Sequence, residues 1–311
     1  MKIAQAVAAY VVSKQSLGMR FATEATALKS FCRFIGDIDI DEIDPGRVRS
    51  FLDGNGPVTW FWHRKLSALR GLYRFSIARE YVTTSPLPTM LPQQPQLFVP
   101  YIYSLDEVRR LIEATTSREH RSFSALTCRT LLLLLYGTGV RISEALGLDV
   151  GDVDLEAQLL RIRDTKFYKT RLVPIGSDLT KILATYASQR DKRLPTTTDA
   201  AFLVTRKGIR PSRAGAESVF KQLREVAMVR RNDGARHQPR LHDMRHTFAT
   251  TCLIRWYREG ADVQRLLPQL ATYLGHVHIG GTQRYLSMTP ELLRHASVRF
   301  ERYAMGGNDH G

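Results

Sequence analysis

Apolar residues in the first 80 positions recur three and four apart in four stretches, a spacing that predicts helices over 3–16, 22–35, 45–53 and 59–80. In the first stretch Ile3, Val7, Tyr10 and Val11 share a side. Gln5 interrupts the run from Ile3 to Val12, which separates it from the apolar centre of a secretory signal. Asp44-Pro45 is a start signal for the third helix, since Asp can accept from orphan N–H groups and Pro loses nothing at the first helical position. The fourth carries Trp62, Leu66, Leu69, Tyr73 and Ile77 on one face. His63, Arg70 and Arg74 lie on the adjacent face, with small Ser67 between.

The periodicity stops at Ser85. From there to Pro100 stand Pro86, Pro88, Pro92, Pro95 and Pro100 with no charged residue, so an extended linker over 86–100 is expected. It would divide a helical domain, 1–85, from a second domain, 101–305, and a flexible tail, 306–311. In the second domain Ser104 can cap a helix to about 115, and a buried helix is predicted over 122–136. Segments 159–163 and 171–175 read as strands around a polar turn, with 201–204 as a third. Helical spacing returns from 212, broken by loops at 231–240 and 276–281. It ends in a segment, 290–303, striped with Leu292, Leu293, Ala296, Phe300 and Tyr303. The fold class is mainly α with a small antiparallel β-sheet.

Composition then narrows the function. The 311 residues hold 45 Lys plus Arg against 30 Asp plus Glu, a net charge of +15, which favours a polyanionic partner. The longest aliphatic run, Leu131 to Leu135, is far short of the ~20 residues that cross a bilayer. Three widely spaced cysteines, Cys32, Cys128 and Cys252, with no Cys-x-x-Cys pair, point to buried reduced thiols and neither a disulfide framework nor a thiolate zinc site. The charge is uneven: Arg206 to Arg245 holds 11 basic and 4 acidic residues, a density that is costly unless phosphates neutralise it.

The chemistry concentrates in that same stretch. In Leu241-His242-Asp243-Met244-Arg245-His246, His242 and Arg245 stand three apart and project from one side of a helix. A guanidinium fork beside an imidazole makes a phosphate cradle, with the imidazole able to donate or accept a proton. His242 and His246 stand four apart, but Arg245 between them repels a cation, so no metal is expected. Upstream, Gly137-Thr138-Gly139-Val140-Arg141-Ile142-Ser143-Glu144 is a glycine turn leading into a helix, with Arg141 at its start and Glu144 placed to hold it. Downstream, Tyr285 follows the histidine of Leu274-Gly275-His276 by nine residues.

Together these motifs resemble the tyrosine recombinase (phage integrase) family over nearly the whole chain. The resemblance implies that Arg141, His242, Arg245 and His276 form the phosphate site, supported by Glu144 and Asp243, with Tyr285 as nucleophile. It also implies a β-hairpin lysine as general acid: Lys166, with Lys169 as its rival, since Thr165-Lys166-Phe167 stands where the family has Gly-Lys-Gly. The segment from Gly260 to His276 is longer than usual and contains Pro268, similar to a subgroup from mobile elements. The implied reaction passes through a 3′-phosphotyrosyl intermediate and needs no cofactor, metal or ATP. Implied partners are double-stranded DNA with specific recombination sites and further copies, a homotetramer on paired sites, with sister recombinases of the same element as a further candidate partner. The setting would be cytoplasmic and nucleoid-associated. Candidate DNA contacts are His63, Arg64, Arg70 and Arg74 in the N-terminal domain and Lys207, Arg210 and Lys221 in the second. Two other readings are a type IB-like topoisomerase, which would relax plasmids lacking a specific site, and an accessory protein that binds DNA without covalent linkage.

Overall fold

The computed structural model describes residues 1–93, 99–117, 123–163, 170–194, 197–235, 237–276, 280–287, 294 and 297. The chain forms two compact units, Met1–Phe98 and Val99–Gly311.

The first unit is four helices, α1 (Ile3–Ser16), α2 (Ala22–Ile35), α3 (Pro45–Asp53) and α4 (Trp60–Ala78), with α4 packed on the other three. Leu28, Phe31, Leu52, Leu66, Leu69, Leu72 and Tyr73 fill the core. The Asp44 carboxylate accepts from the N–H groups of Gly46 and Arg47 at 2.8 and 3.1 Å, a cap worth about 1 kcal/mol. Lys65 donates to the carbonyls of Phe51 and Leu52, which α3 leaves unpaired at its end. Ile77 departs from the expected apolar face and is 41% exposed. The 15 residues from Trp62 to Ile77 turn the helix about 60° past four full turns. Ser76 takes the buried position instead.

The second unit begins with α5 (Leu105–Ser117), capped reciprocally by Ser104 and Glu107, and α6 (Ala125–Thr138), which starts behind its Ser124 cap rather than at 122. The Leu131–Leu135 run lies in α6, which is packed by α5, α8 and α10. A short α7 (Ile142–Gly147) leads to an antiparallel sheet, β1 (Val153–Asp154), β2 (Leu159–Ile162) and β3 (Arg171–Pro174), in that order, with Leu160 opposite Val173. The third strand thus precedes the hairpin. Segment 201–204 contributes only a single bridge, Ala201 to Asp149, while Phe202, Leu203 and Val204 are buried in side-chain packing.

Then comes α8 (Ser177–Asp191), which the sequence reading overlooked, followed by α9 (Arg213–Val226), α10 (Asp243–Arg258), α11 (Val263–Leu274), a short α12 (Gly280–Gln283) and a 3-10 turn, Arg284–Ser287. Leu183, Tyr186 and Arg190 are the buried side of α8, a spacing visible in the sequence but masked by the polar residues between. Among the described residues no helix is long and apolar enough to cross a membrane. Cys128 is buried, but Cys32 and Cys252 are only half-buried, because each lies toward the rim of its helix's packed face; all three thiols are unbridged. Lys166, Lys169, most of the 290–303 helix, the tail 306–311 and part of the linker lie outside the described residues.

Candidate active site

Helix α6 ends where Gly139 adopts φ +60°, and a Cβ there would stand 2.5 Å from the Phe248 ring. Glycine is required on both counts. The turn exposes the Gly139 carbonyl, which accepts from Arg245 at 2.8 Å, and delivers Arg141 to the N-cap of α7. One turn on, Glu144 accepts from the Arg141 backbone N–H at 2.9 Å and from its guanidinium at 2.7 Å.

A third arginine closes this cluster. Arg171, at the start of β3, grips both carboxylate oxygens of Glu144 at 3.0 and 2.7 Å. The sequence reading passed over it, because a charged residue opening a strand next to a polar turn reads as a solvated edge. Burial alone would raise the Glu144 pKa, but the hydrogen bonds and charge of Arg171, with those of Arg141, hold it down to about 2.

The three guanidiniums meet the end of α11 in succession. Arg171 donates to the carbonyl of Tyr273 at 2.9 Å, Arg245 to that of Leu274 at 2.6 Å, and Arg141 to that of Gly275 at 2.9 Å. These are carbonyls that the helix end cannot satisfy itself, at the negative end of its dipole. Arg245 is 3% exposed, and burial followed by repulsion from Arg141 lowers its pKa to about 10, leaving it a full cation at neutral pH. Gly275 caps α11 at φ +68° and carries the Arg171 guanidinium against its Cα; an added Cβ would meet it at 2.9 Å.

His276 follows directly. Its Nδ1 lies 2.7 Å from the Thr282 hydroxyl and its ring stacks on Tyr285 with centroids 6.1 Å apart. Tyr285, 2% exposed, also contacts the buried His246 ring at 5.5 Å, and His246 in turn meets His242 at 5.1 Å. His242 is the N-cap of α10 rather than part of its first turn, so the helix itself begins at Asp243. His242 keeps an exposed edge, yet the protein crowded around its ring lowers its pKa, as do the charges of Arg245, Arg240, Arg141 and Arg213, to about 4. The imidazole is therefore neutral at pH 7 and able to accept a proton. Asp243, 1% exposed, accepts from the Arg240 backbone at 2.8 Å and its guanidinium at 3.1 Å, fixing the entry to α10. Five of the six proposed catalytic residues therefore stand in one connected cluster, with Glu144 inside it. Among the described residues no group of three His, Cys, Asp or Glu side chains could hold a metal ion.

The basic stretch 206–245 is partly paired within the protein. Among the described residues seven of its cations have partners within the protein: Arg206 and Arg224 on carbonyls, Arg210, Arg213, Arg231 and Arg240 on carboxylates, and Arg245 as described. The carboxylates offset part of this charge, while the carbonyls hold guanidiniums in place without cancelling it. Arg210 in particular is committed to the carbonyls of Leu146 and Leu148 and to Asp149. Lys207 and Lys221 are exposed, and their side chains make no hydrogen bond or ion pair among the described residues. On α4, Arg64, Arg70 and Arg74 are exposed, whereas His63 is half-buried between Trp60 and Trp62.

The phage integrase family matches residues 103–291. The chain is 34% identical over 305 residues to the integrase/recombinase y4rB of Sinorhizobium fredii, with 96% of both chains covered. It is 37% identical over 239 residues to the tyrosine recombinase XerD of Mycobacterium leprae, covering 74% of this chain and 70% of XerD. Its fold is similar to that of the Tn1549 transposon integrase in complex with transposon right end DNA: TM-score 0.70, 17% identity, 98% of this chain and 100% of the other.

Proposed function

The chain belongs to the phage integrase family of tyrosine recombinases, which cleave and rejoin DNA through a covalent tyrosine intermediate, and from that premise we propose how its own residues carry the reaction. Arg141 and Arg245 bind the non-bridging oxygens of the scissile phosphate. Each spends two of its five N–H donors on the protein and keeps three. Their charge stabilises the added negative charge of the in-line transition state. The Tyr285 oxygen attacks phosphorus as its proton passes to neutral His242. The P–O5′ bond breaks, and the departing 5′ oxygen takes a proton from Lys166, or from Lys169 if that residue holds the role. His276 hydrogen-bonds the phosphate, while Glu144 and Asp243 orient the arginine and the histidine. The resulting 3′-phosphotyrosyl ester conserves the bond energy, so rejoining needs no other energy source.

One observation carries this reading: three arginines cap consecutive carbonyls at the end of α11, beside the stacked His276 and Tyr285. Tyr285 is nearly inaccessible, which supports a cycle in which DNA binding uncovers the nucleophile. We assign the first unit to DNA binding through Arg64, Arg70 and Arg74, with 86–100 as the linker, and the second to catalysis, Lys207 and Lys221 adding backbone contacts. The Tn1549 neighbour and the Pro268-containing insert support a mobile-element setting in the cytoplasm. There the protein would work as a tetramer on paired sites, in company with sister recombinases. The test is to recover DNA covalently attached to the protein from cells carrying it, and to sequence that DNA. Wild type should yield adducts at one recurring sequence and Tyr285→Phe none. Adducts from the Phe variant would defeat the assignment, and adducts spread over all sequences would favour the topoisomerase.

A further inference from the structure

Resting on that reading, we propose that Arg171 is a positioning residue for the cleavage step, acting by saturating Glu144 so that Arg141 stays available to the phosphate. The hydrogen-bond arithmetic separates its role from those of the other two arginines. Glu144 receives four N–H bonds, two from Arg141 (one of them backbone) and two from Arg171. Arg171 gives three of its five donors to protein and its side chain is 12% exposed; the Arg141 side chain gives two and is 33% exposed. Arg171 is thus the most committed of the three guanidiniums and Arg141 the most open.

A buried carboxylate facing a single guanidinium draws it into a bidentate fork. Without Arg171, Glu144 would take a second N–H from Arg141 and compete with the phosphate for it. Arg171 prevents this by occupying both oxygens from the side of β3. The same guanidinium holds the Tyr273 carbonyl and lies on Gly275, so it also fixes the turn that presents His276. Arg171 follows the hairpin lysines by only two to five residues. One residue therefore ties the first arginine and the His276 turn together.

The experiment uses full-length protein and a duplex oligonucleotide carrying the sequence recovered from covalent adducts. Single-turnover adduct formation at saturating DNA, DNA affinity and thermal melting are measured for each variant. Arg171→Met should slow adduct formation on the order of 100-fold, the cost of misplacing a reacting group by about 1 Å. Its DNA affinity should stay within about twofold of wild type. Arg171→Lys, which keeps the charge but not the fork, should recover part of the rate. The Arg171→Met/Glu144→Gln double variant should be faster than Arg171→Met alone, because a neutral amide does not compete for Arg141. It also leaves no unpaired buried carboxylate, so it remains readable if the single variant fails to fold. A wild-type rate in Arg171→Met, or a double variant slowed by the product of the single effects, overturns the proposal. If either result comes while Tyr285→Phe is inert, the functional reading stands and only the role of Arg171 falls. If Tyr285→Phe itself forms adducts, both fall.

Discussion

The exposed cations of α4 and the buried cations around the end of α11 carry the same charge in opposite surroundings. Arg64, Arg70 and Arg74 stand in solvent on a helix whose other side is core. Their pull on a phosphate is long-ranged, screened over about 8 Å at physiological salt, and indifferent to which phosphate it is. Arg245 and Arg171 are desolvated, and the loss is offset by carbonyls at a helix end and by one carboxylate. Those partners fix each guanidinium before any ligand arrives, which is the condition for stabilising one charge distribution rather than attracting many. On the function proposed above, position in the fold, rather than charge, separates the arginines that gather DNA from those that hold the reacting phosphate.

That contrast can be broken in order of expected effect. Arg245→Ala removes a preorganised donor and also strands the carbonyls of Gly139 and Leu274, so adduct formation should fall roughly 100- to 1,000-fold. Melting should drop as well, whereas DNA affinity should change little. A large loss of affinity at unchanged cleavage rate would place Arg245 with the α4 set.

The second test is pH. His242 is held to about 4, so a rate that depends on its neutral form should stay level from pH 7 to 5 and fall only as pH approaches 4. A rate profile bending near 6.5 would mean that His242 lacks the burial and the arginine field described above. The same depression affects stability. The neutral ring is favoured in the folded protein, so this contribution is present above about 6.5 and is lost as pH falls through 4. Glu144 adds a loss of the same sign, beginning below its ordinary range near 4.5 and completed near 2. Melting temperatures across that range, compared with Glu144→Gln, would isolate the second contribution.

A smaller effect is expected at Gly275. Alanine there meets both a left-handed backbone, at about 1–2 kcal/mol, and the pinned Arg171 guanidinium. The variant should melt several degrees lower and cleave more slowly, and Arg171→Met should not be slowed further by it. Full additivity of the two would show that the contact is incidental. The smallest effect belongs to the exposed set: Arg70→Ala or Arg74→Ala should weaken DNA binding several-fold for all sequences alike. Each should lower the salt slope by about 1, with cleavage at saturation untouched. A sequence-dependent loss would mean that these arginines read bases.

Much of this was legible in local pattern. The caps at Asp44 and Ser104 and the 3.6-residue spacing of α1 to α4 depend only on neighbours a turn away, and the structure places the helices α1 to α4 within a residue or two of expectation. The hairpin of β2 and β3 was legible too, but the third strand of the sheet was not. Strand pairing joins segments distant in sequence, and Val153-Asp154 is too short to carry an alternation of its own. Helix α8 was missed because its polar residues hide a narrow buried stripe.

For the site, the sequence by itself determined the chemical types and their order: the arginine after the glycine turn, His242 and Arg245 three apart, His276 and Tyr285 nine apart. Those spacings are set along one chain, where covalent geometry keeps them. Only the tertiary structure decided which cations are committed and which remain open. It joined Arg171 to Glu144 across 27 residues and Arg141 to Gly275 across 134. It also gave part of a dense basic stretch partners within the protein and left Lys207 and Lys221 exposed. A guanidinium looks the same in any sequence. Its energy depends on whether water, a carbonyl or a carboxylate faces it, and that is set by the packing of segments far apart in the chain.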